Sequence, residues 1–226
     1  MAKYIACVLP LLILLMIAPV SAQLDLAISD YFFKDGSFVS NWYVRLLYSY
    51  GEYFGLLVAF CCGWMLVYTF LTKRYTYLAR ALLTAVLTFV IGAGLITNIL
   101  LKGFWGRARP RQIEHFGGSK PFSPFYKPNL TVSFGEDQQK SFPSGHAAVG
   151  FFFFVFAVIG WKERNRWLMW LGVVSGLILG INLSLIRIMQ GGHFFTDTLA
   201  SAAIMCWVAL TVAYLVYDRA LLDEWL

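Results

Sequence analysis

Residues 81–110 read ALLTAVLTFVIGAGLITNILLKGFWGRARP, an apolar run that ends abruptly in a basic segment. Ala81–Leu101 contains no charged residue and has about the 20 residues that a helix needs to cross a bilayer. Because the bilayer offers no water to backbone groups, such a run is expected to be helical. The stretch therefore predicts a transmembrane helix that brings Lys102, Arg107 and Arg109 to one membrane face.

The rest of the chain repeats this pattern. It is 59% hydrophobic and 13% charged, with a mean hydropathy of +0.67, whereas soluble domains carry roughly a quarter charged residues. Ala147–Trp161 is short, and can span only if its helix starts near Pro143 or lies among neighbours. The other apolar runs are Tyr4–Ala22, Tyr53–Leu71, Trp167–Ile186 and Thr198–Tyr217. The predicted fold class is all-α, a polytopic bundle of six transmembrane helices with an interfacial and periplasmic cap, in a single domain over residues 1–226.

The segments between the runs suggest a topology. Tyr4–Ala22 could be a cleaved secretory signal, but an uncleaved first span is preferred because it leaves both chain ends on one side. Gln23–Glu52 is aromatic and suits an interfacial helix, while the long Lys102–Pro143 loop is predicted to be a structured cap. The short basic loops Thr72–Arg80 and Lys162–Arg166 indicate the cytoplasmic side. The opposite face also carries many cations, a conflict that eases if a site holds them.

Three clusters of polar residues fall at helix ends on that opposite face. They are Lys102–Pro110, Phe142–His146 and Arg187–Asp197. Ionised side chains near a bilayer are costly and usually mark function. Lys102, Arg109 and Arg187 suit phosphate oxygens, and Ser144 with Gly145 precedes a helix whose first backbone N–H groups favour an anion. These residues predict an anion site.

Histidines supply the reactivity at this site. His193 and Asp197 are spaced i, i+4, so on a helix they would share a face. A carboxylate on one ring nitrogen would leave the other as a nucleophile, and His146 could protonate a leaving oxygen. Taken singly, the pair could be structural and the cations could merely anchor helix ends. Taken together, the residues predict phosphoryl transfer.

The pattern K-x6-R-P, P-S-G-H and R-x5-H-x3-D resembles the type 2 phosphatidic acid phosphatase superfamily, which includes vanadium haloperoxidases and acid phosphatases. The resemblance implies a phosphohistidine on His193, oriented by Asp197, with His146 as acid and then base. It implies no metal or other cofactor. The phosphate-binding residues it implies are Lys102, Arg109, Ser144, Gly145 and Arg187. One departure is Ile186, where the family often has Ser.

The membrane setting and the family together predict a lipid phosphatase in the bacterial inner membrane, with its site facing the periplasm. Its expected partners are a phosphorylated lipid substrate and membrane lipids, without nucleic acid or a protein partner. The short chain and Phe116-Gly117-Gly118 favour lipid A 1-phosphate over undecaprenyl diphosphate or phosphatidylglycerol phosphate. A lipid phosphotransferase and a non-enzymatic lipid-binding or transport protein are the alternatives. Arg107 and Arg111 are predicted to touch a second phosphate or to be solvated or lipid-facing.

Overall fold

The computed structural model describes residues 11–130 and 139–218, and its main feature is a bundle of long apolar helices. Five of them are long and apolar enough to cross a membrane: α2 (Trp42–Thr72), α3 (Thr76–Phe104), α4 (Gly145–Lys162), α5 (Arg166–Met189) and α6 (Phe195–Asp218). The predicted all-α membrane bundle is confirmed. The count of six stays a prediction, because Tyr4–Ala22 begins in residues outside the described part.

The segment before α2 differs from the predicted interfacial helix. Helix α1 (Ala18–Phe32) packs against α5 and α6, and buries Ser21, Asp25 and Ser29. Two short antiparallel strands follow, β1 (Phe33–Lys34) and β2 (Ser37–Phe38). Helix α2 then begins at Trp42, well before the predicted Tyr53. The many aromatic residues of this segment suggested an interfacial helix. In the structure, α1 instead has a polar face that packs against the bundle.

Helices α4 and α6 form the centre of the bundle. Of their apolar windows, 61% and 56% are buried, against 17% for α2. Helix α4 begins at Gly145, so the short fourth run reaches spanning length by starting early and lying among neighbours, as predicted. Gly150 of α4 meets the backbone of α5 at Gly180, which is the close approach that small residues permit between membrane helices.

Helix α3 changes pitch as it approaches the polar end of the bundle. From Phe89 to Leu101 its turns are of the wide π type, which is frequent at functional sites. The side chain of Asn98 donates to the carbonyl of Ala93 at 2.8 Å. This segment carries Asn98 and Lys102 to the end of the helix, where the motifs meet.

The described part of the loop after α3 is an ordered cap. It contains two 3₁₀ turns, Pro110–Gln112 and Glu114–Phe116. The Phe116 ring lies 5.1 Å from both rings of the strand pair, Phe33 and Phe38. Gly117 has φ +81°, and a side chain at Gly118 would collide with the backbone of Gln112. The Gly117-Gly118 pair, expected from the sequence to favour lipid A, therefore has a structural role in forming this turn.

Candidate active site

Backbone hydrogen bonds join the three motif segments. The amide of Arg111, the residue after the first motif, donates to the carbonyl of Gly191 in the third motif at 3.1 Å. The amide of Ser144 donates to the carbonyl of Asp197 at 3.2 Å, which links the second motif to the third. The three clusters therefore lie together at one end of the bundle, as the order of the spans predicts.

His193 lies in the turn before α6 and is 1% exposed. Its Nδ1 is 2.5 Å from the carbonyl oxygen of Ser141. Because a carbonyl only accepts, Nδ1 carries the hydrogen and Nε2 keeps its lone pair. Burial lowers the pKa of His193 to about 3, so the ring is neutral at neutral pH. A neutral imidazole with a free Nε2 is a nucleophile.

Asp197 supports His193 mainly through the surrounding turn. Its Oδ2 accepts hydrogen bonds from Ser141 Oγ at 2.6 Å and from the Phe194 amide at 2.8 Å, while His193 Nδ1 is 3.8 Å away. A shared helical face for His193 and Asp197 requires both residues on one helix, but α6 begins at Phe195, so His193 lies before it. Asp197 thus fixes Ser141, whose carbonyl holds the imidazole.

Arg107 is the buried centre of this network, with 1% exposure. Its Nη1 donates to Asp197 Oδ1 at 2.5 Å and to Thr196 Oγ1 at 2.9 Å, and its Nη2 donates to Asp25 Oδ2 at 2.7 Å. Both alternatives predicted for Arg107, contact with a second phosphate and a solvated or lipid-facing position, are wrong, because its guanidinium nitrogens bind protein groups in the interior. Sequence reasoning also missed Asp25 and Ser141. A lone carboxylate just after an apolar run, such as Asp25, was the available signal.

The three predicted phosphate-binding cations lie close enough for their charges to act on one another. Lys102 Nζ is 3.3 Å from Asn98 Oδ1. The Nε atoms of Arg109 and Arg187 are buried and have no hydrogen-bond partner among the described residues. Burial, with the nearby charge of Arg111, lowers the pKa of Arg109. Such concentrated positive charge with donors to spare fits an anion with several oxygens.

The turn into α4 lies against Lys102. Ser144 caps the helix by accepting from the Ala147 amide at 3.4 Å. A Cβ added at Gly145 would lie 2.8 Å from Asn98 Oδ1 and 3.3 Å from Lys102 Nζ. Gly145 is therefore needed for the close approach of α3 to the start of α4.

Replacing Gly145 by Ala should displace Lys102 and weaken substrate binding. We expect KM to rise about tenfold, which corresponds to ~1.4 kcal/mol for one weakened hydrogen bond to a charged group. Steady-state kinetics on a phosphorylated lipid would measure it. Gly103→Ala is the control, because a Cβ there meets no atom within 4 Å. Equal KM values for the two variants would contradict the role given to Gly145.

His146 is held by two residues of α2 that sequence reasoning missed. Its Nε2 is 3.1 Å from the carbonyl oxygen of Tyr48, and its Nδ1 is 3.5 Å from Glu52 Oε2. The imidazole also stacks on the Tyr48 ring, with centroids 5.3 Å apart and planes 7° from parallel. Both ring nitrogens therefore already have partners on α2.

A cavity of about 450 Å³ opens between α2, α3 and α4. Lys102, Glu52 and His146 lie at its polar end, and Leu56 and Phe89 line it deeper in the bundle. Its remaining lining residues are Ala93, Gly94, Asn98, Gly145 and Val149. Among residues 11–130 and 139–218, no group of three or more His, Cys, Asp or Glu side chains is placed to hold a metal ion.

The segment that carries the three motifs matches the model of a known protein family. The model of the PAP2 superfamily matches residues 81–221, which is more than half of the chain. The chain belongs to the PAP2 superfamily. The matched region includes every candidate catalytic and phosphate-binding residue. The resemblance drawn from the three motifs is therefore confirmed.

Curated relatives of this PAP2 chain include three bacterial proteins. It is 28% identical over 177 residues to a lipid A 4′-phosphatase of Francisella tularensis subsp. novicida, covering 77% of this chain and 74% of the relative. It is 34% and 33% identical to lipid A 1-phosphatases of Rhizobium etli and Rhizobium johnstonii, over 58% and 55% of this chain. These alignments cover only 49% and 43% of the Rhizobium proteins. No solved structure matches the chain significantly.

Proposed function

We propose that this PAP2 chain is a lipid phosphatase of the bacterial inner membrane that removes phosphate from lipid A at the periplasmic face. One observation carries the proposal. A buried, neutral His193 with a free Nε2 belongs to the same site as three cations, two of which have unpartnered guanidinium nitrogens. A nucleophile beside a group of fixed donors is the arrangement that phosphoryl transfer requires. The names of the relatives direct the proposal to lipid A.

In the first step His193 Nε2 attacks phosphorus while Lys102, Arg109 and Arg187 bind the phosphoryl oxygens. The bond from phosphorus to the lipid oxygen breaks, and His146 donates a proton to that oxygen. The products are a phosphohistidine and the free lipid alcohol. The cations stabilise the negative charge that spreads over the equatorial oxygens in the transition state.

In the second step water attacks the phosphohistidine, and His146, now neutral, takes a proton from that water. Inorganic phosphate leaves and His193 returns to its starting form. Gly145 contributes a backbone N–H at the start of α4, where the helix dipole favours an anion. The Ser144 amide, which donates to the carbonyl of Asp197, holds this turn in place beside the site. All the groups that these steps need come from the protein, so we expect turnover in the presence of a chelator.

The substrate is expected to enter from the bilayer through the cavity between α2, α3 and α4. Its phosphate would lie at the polar end, near Lys102 and His146, and its apolar part would extend toward Leu56 and Phe89. Such a path favours phosphates attached to a lipid over soluble phosphates. The 1-phosphate is the expected position on lipid A, and the 4′-phosphate is the other position named among the relatives.

A substrate panel tests the proposal. The purified protein in detergent with EDTA would be given lipid A, undecaprenyl diphosphate and phosphatidylglycerol phosphate. We expect inorganic phosphate from lipid A, with mass spectrometry locating the lost group at position 1. Release of phosphate only from another lipid would make that lipid the substrate in place of lipid A. Transfer of phosphate to an acceptor lipid would indicate a phosphotransferase. No release from any lipid would favour a binding or transport protein.

A further inference from the structure

We propose that Tyr48 and Glu52, one turn apart on α2, are a fourth element of the active site, which positions His146 and Arg187. This inference rests on the proposed function and extends it to residues outside the three motifs. Helix α2 begins at Trp42 rather than at Tyr53, and the additional turns contain both residues. Residues i and i+4 lie on one face of a helix, so α2 presents Tyr48 and Glu52 to the site together.

Glu52 and Tyr48 each place an acceptor oxygen near one ring nitrogen of His146. The Glu52 carboxylate is 3.5 Å from Nδ1 and the Tyr48 carbonyl is 3.1 Å from Nε2. Both partners can only accept hydrogen bonds when Glu52 is ionised, so only a doubly protonated imidazole donates to both. The side chain of His146 is 17% exposed and that of Glu52 is 35% exposed, so solvent only partly weakens their attraction. Helix α2 thus places an acceptor near each N–H of the protonated imidazole, the form in which His146 would act as a general acid.

Tyr48 also contacts the phosphate-binding side of the site. The guanidinium carbon of Arg187 lies 4.6 Å from the Tyr48 ring centroid, within the range of a cation–π contact. The same ring stacks on His146. Tyr48 therefore sets the position of the acid relative to one phosphate-binding cation. Geometric precision of this kind is worth large factors in rate.

The proton path follows from these contacts. When the bond from phosphorus to the lipid oxygen breaks, one N–H of His146 exchanges its α2 partner for that oxygen and transfers its proton there. If the Glu52 carboxylate remains beside Nδ1, it stabilises the hydrogen on that nitrogen. Nε2 of the same ring can then accept a proton from water in the second step. Glu52 and Tyr48 act through His146 and Arg187, so they are positioning residues.

Leaving-group dependence tests the role of Glu52. Wild type, Glu52→Gln and His146→Ala would each be assayed with two lipids, a phosphate monoester whose leaving alcohol needs a proton and a diphosphate whose leaving phosphate does not. We expect Glu52→Gln to lower kcat/KM on the monoester by about tenfold and to change kcat/KM on the diphosphate little, because kcat/KM reports formation of the phosphohistidine and not its hydrolysis. Glu52→Gln combined with His146→Ala should be no slower than His146→Ala alone. Glu114→Gln, at an exposed position, is the matched control.

Replacing Tyr48 tests the second contact. Tyr48→Leu should raise KM and lower kcat together, because it releases Arg187 and His146 at once. Tyr48→Phe keeps the ring and should restore most of both. Tyr50→Leu, at a 64% exposed position on the same helix, is the control.

The outcomes separate this inference from the proposed function. An equal loss of kcat/KM on both lipids in Glu52→Gln would overturn the inference, and so would additive effects of Glu52→Gln and His146→Ala. Either result would leave the proposed phosphatase function intact. A wild-type protein that releases phosphate from no lipid would overturn both. Should Tyr48→Leu fail to fold, the Glu52→Gln comparison still decides the matter.

Discussion

Replacing His193 by Ala should reduce phosphate release from the lipid substrate by about 10⁴-fold or more, since removing the proposed nucleophile removes the covalent route altogether. The imidazole is buried, neutral and held by Ser141, and the Ala side chain offers no lone pair in its place. Release of labelled phosphate from a purified lipid in detergent would measure the loss.

The control for His193→Ala is the same change at His115. That imidazole is half exposed and lies 2.9 Å from Asp30 in the cap, so His115→Ala should keep wild-type turnover. Melting temperatures of both variants would show whether the fold is intact. Undiminished turnover by a folded His193→Ala protein would remove the residue as nucleophile.

Replacing Arg107 by Met should cost both stability and activity. The change would leave the carboxylates of Asp25 and Asp197 buried without their cation, and breaking such a pair typically costs about 3–5 kcal/mol. We also expect phosphate release to fall about 100-fold, because Asp197 fixes Ser141, which in turn orients His193. Thermal unfolding in detergent and steady-state kinetics would measure the two effects.

Two further variants make this test specific. Arg111→Met, at an exposed position, should leave the melting temperature unchanged. Adding Asp25→Asn to Arg107→Met should recover part of the lost stability, because one of the two uncompensated charges disappears. An Arg107→Met protein with wild-type melting temperature and turnover would contradict the network described around Asp197.

The apolar runs made most of the bundle predictable, because membrane helices must satisfy their own backbone groups and need a minimum length. The motifs could be placed on one face for the same reason, since successive spans alternate direction. The short fourth run was also resolvable from its sequence. Its helix starts at Gly145 and is covered by neighbours, which removes the need for a long lipid-facing stretch.

The supporting residues could not be predicted, because they depend on which side chains the bundle brings together. Asp25 appeared to lie in an interfacial segment, yet α1 turns it inward to meet Arg107. The i, i+4 spacing suggested a direct hydrogen bond between His193 and Asp197. In the turn before α6, the imidazole instead donates to the carbonyl of Ser141. Tyr48 and Glu52 carry no motif, and they reach His146 only because α2 is longer than its apolar run.

Trapping the covalent intermediate tests whether phosphate passes through His193. Wild type and His146→Ala would be incubated with a ³²P-labelled lipid diphosphate, quenched in alkali and digested. We expect an alkali-stable, acid-labile label on the peptide containing His193, and more of it in His146→Ala, where the base for water is missing. Inorganic phosphate released by the wild type, with the His193 peptide unlabelled in both proteins, would contradict the mechanism.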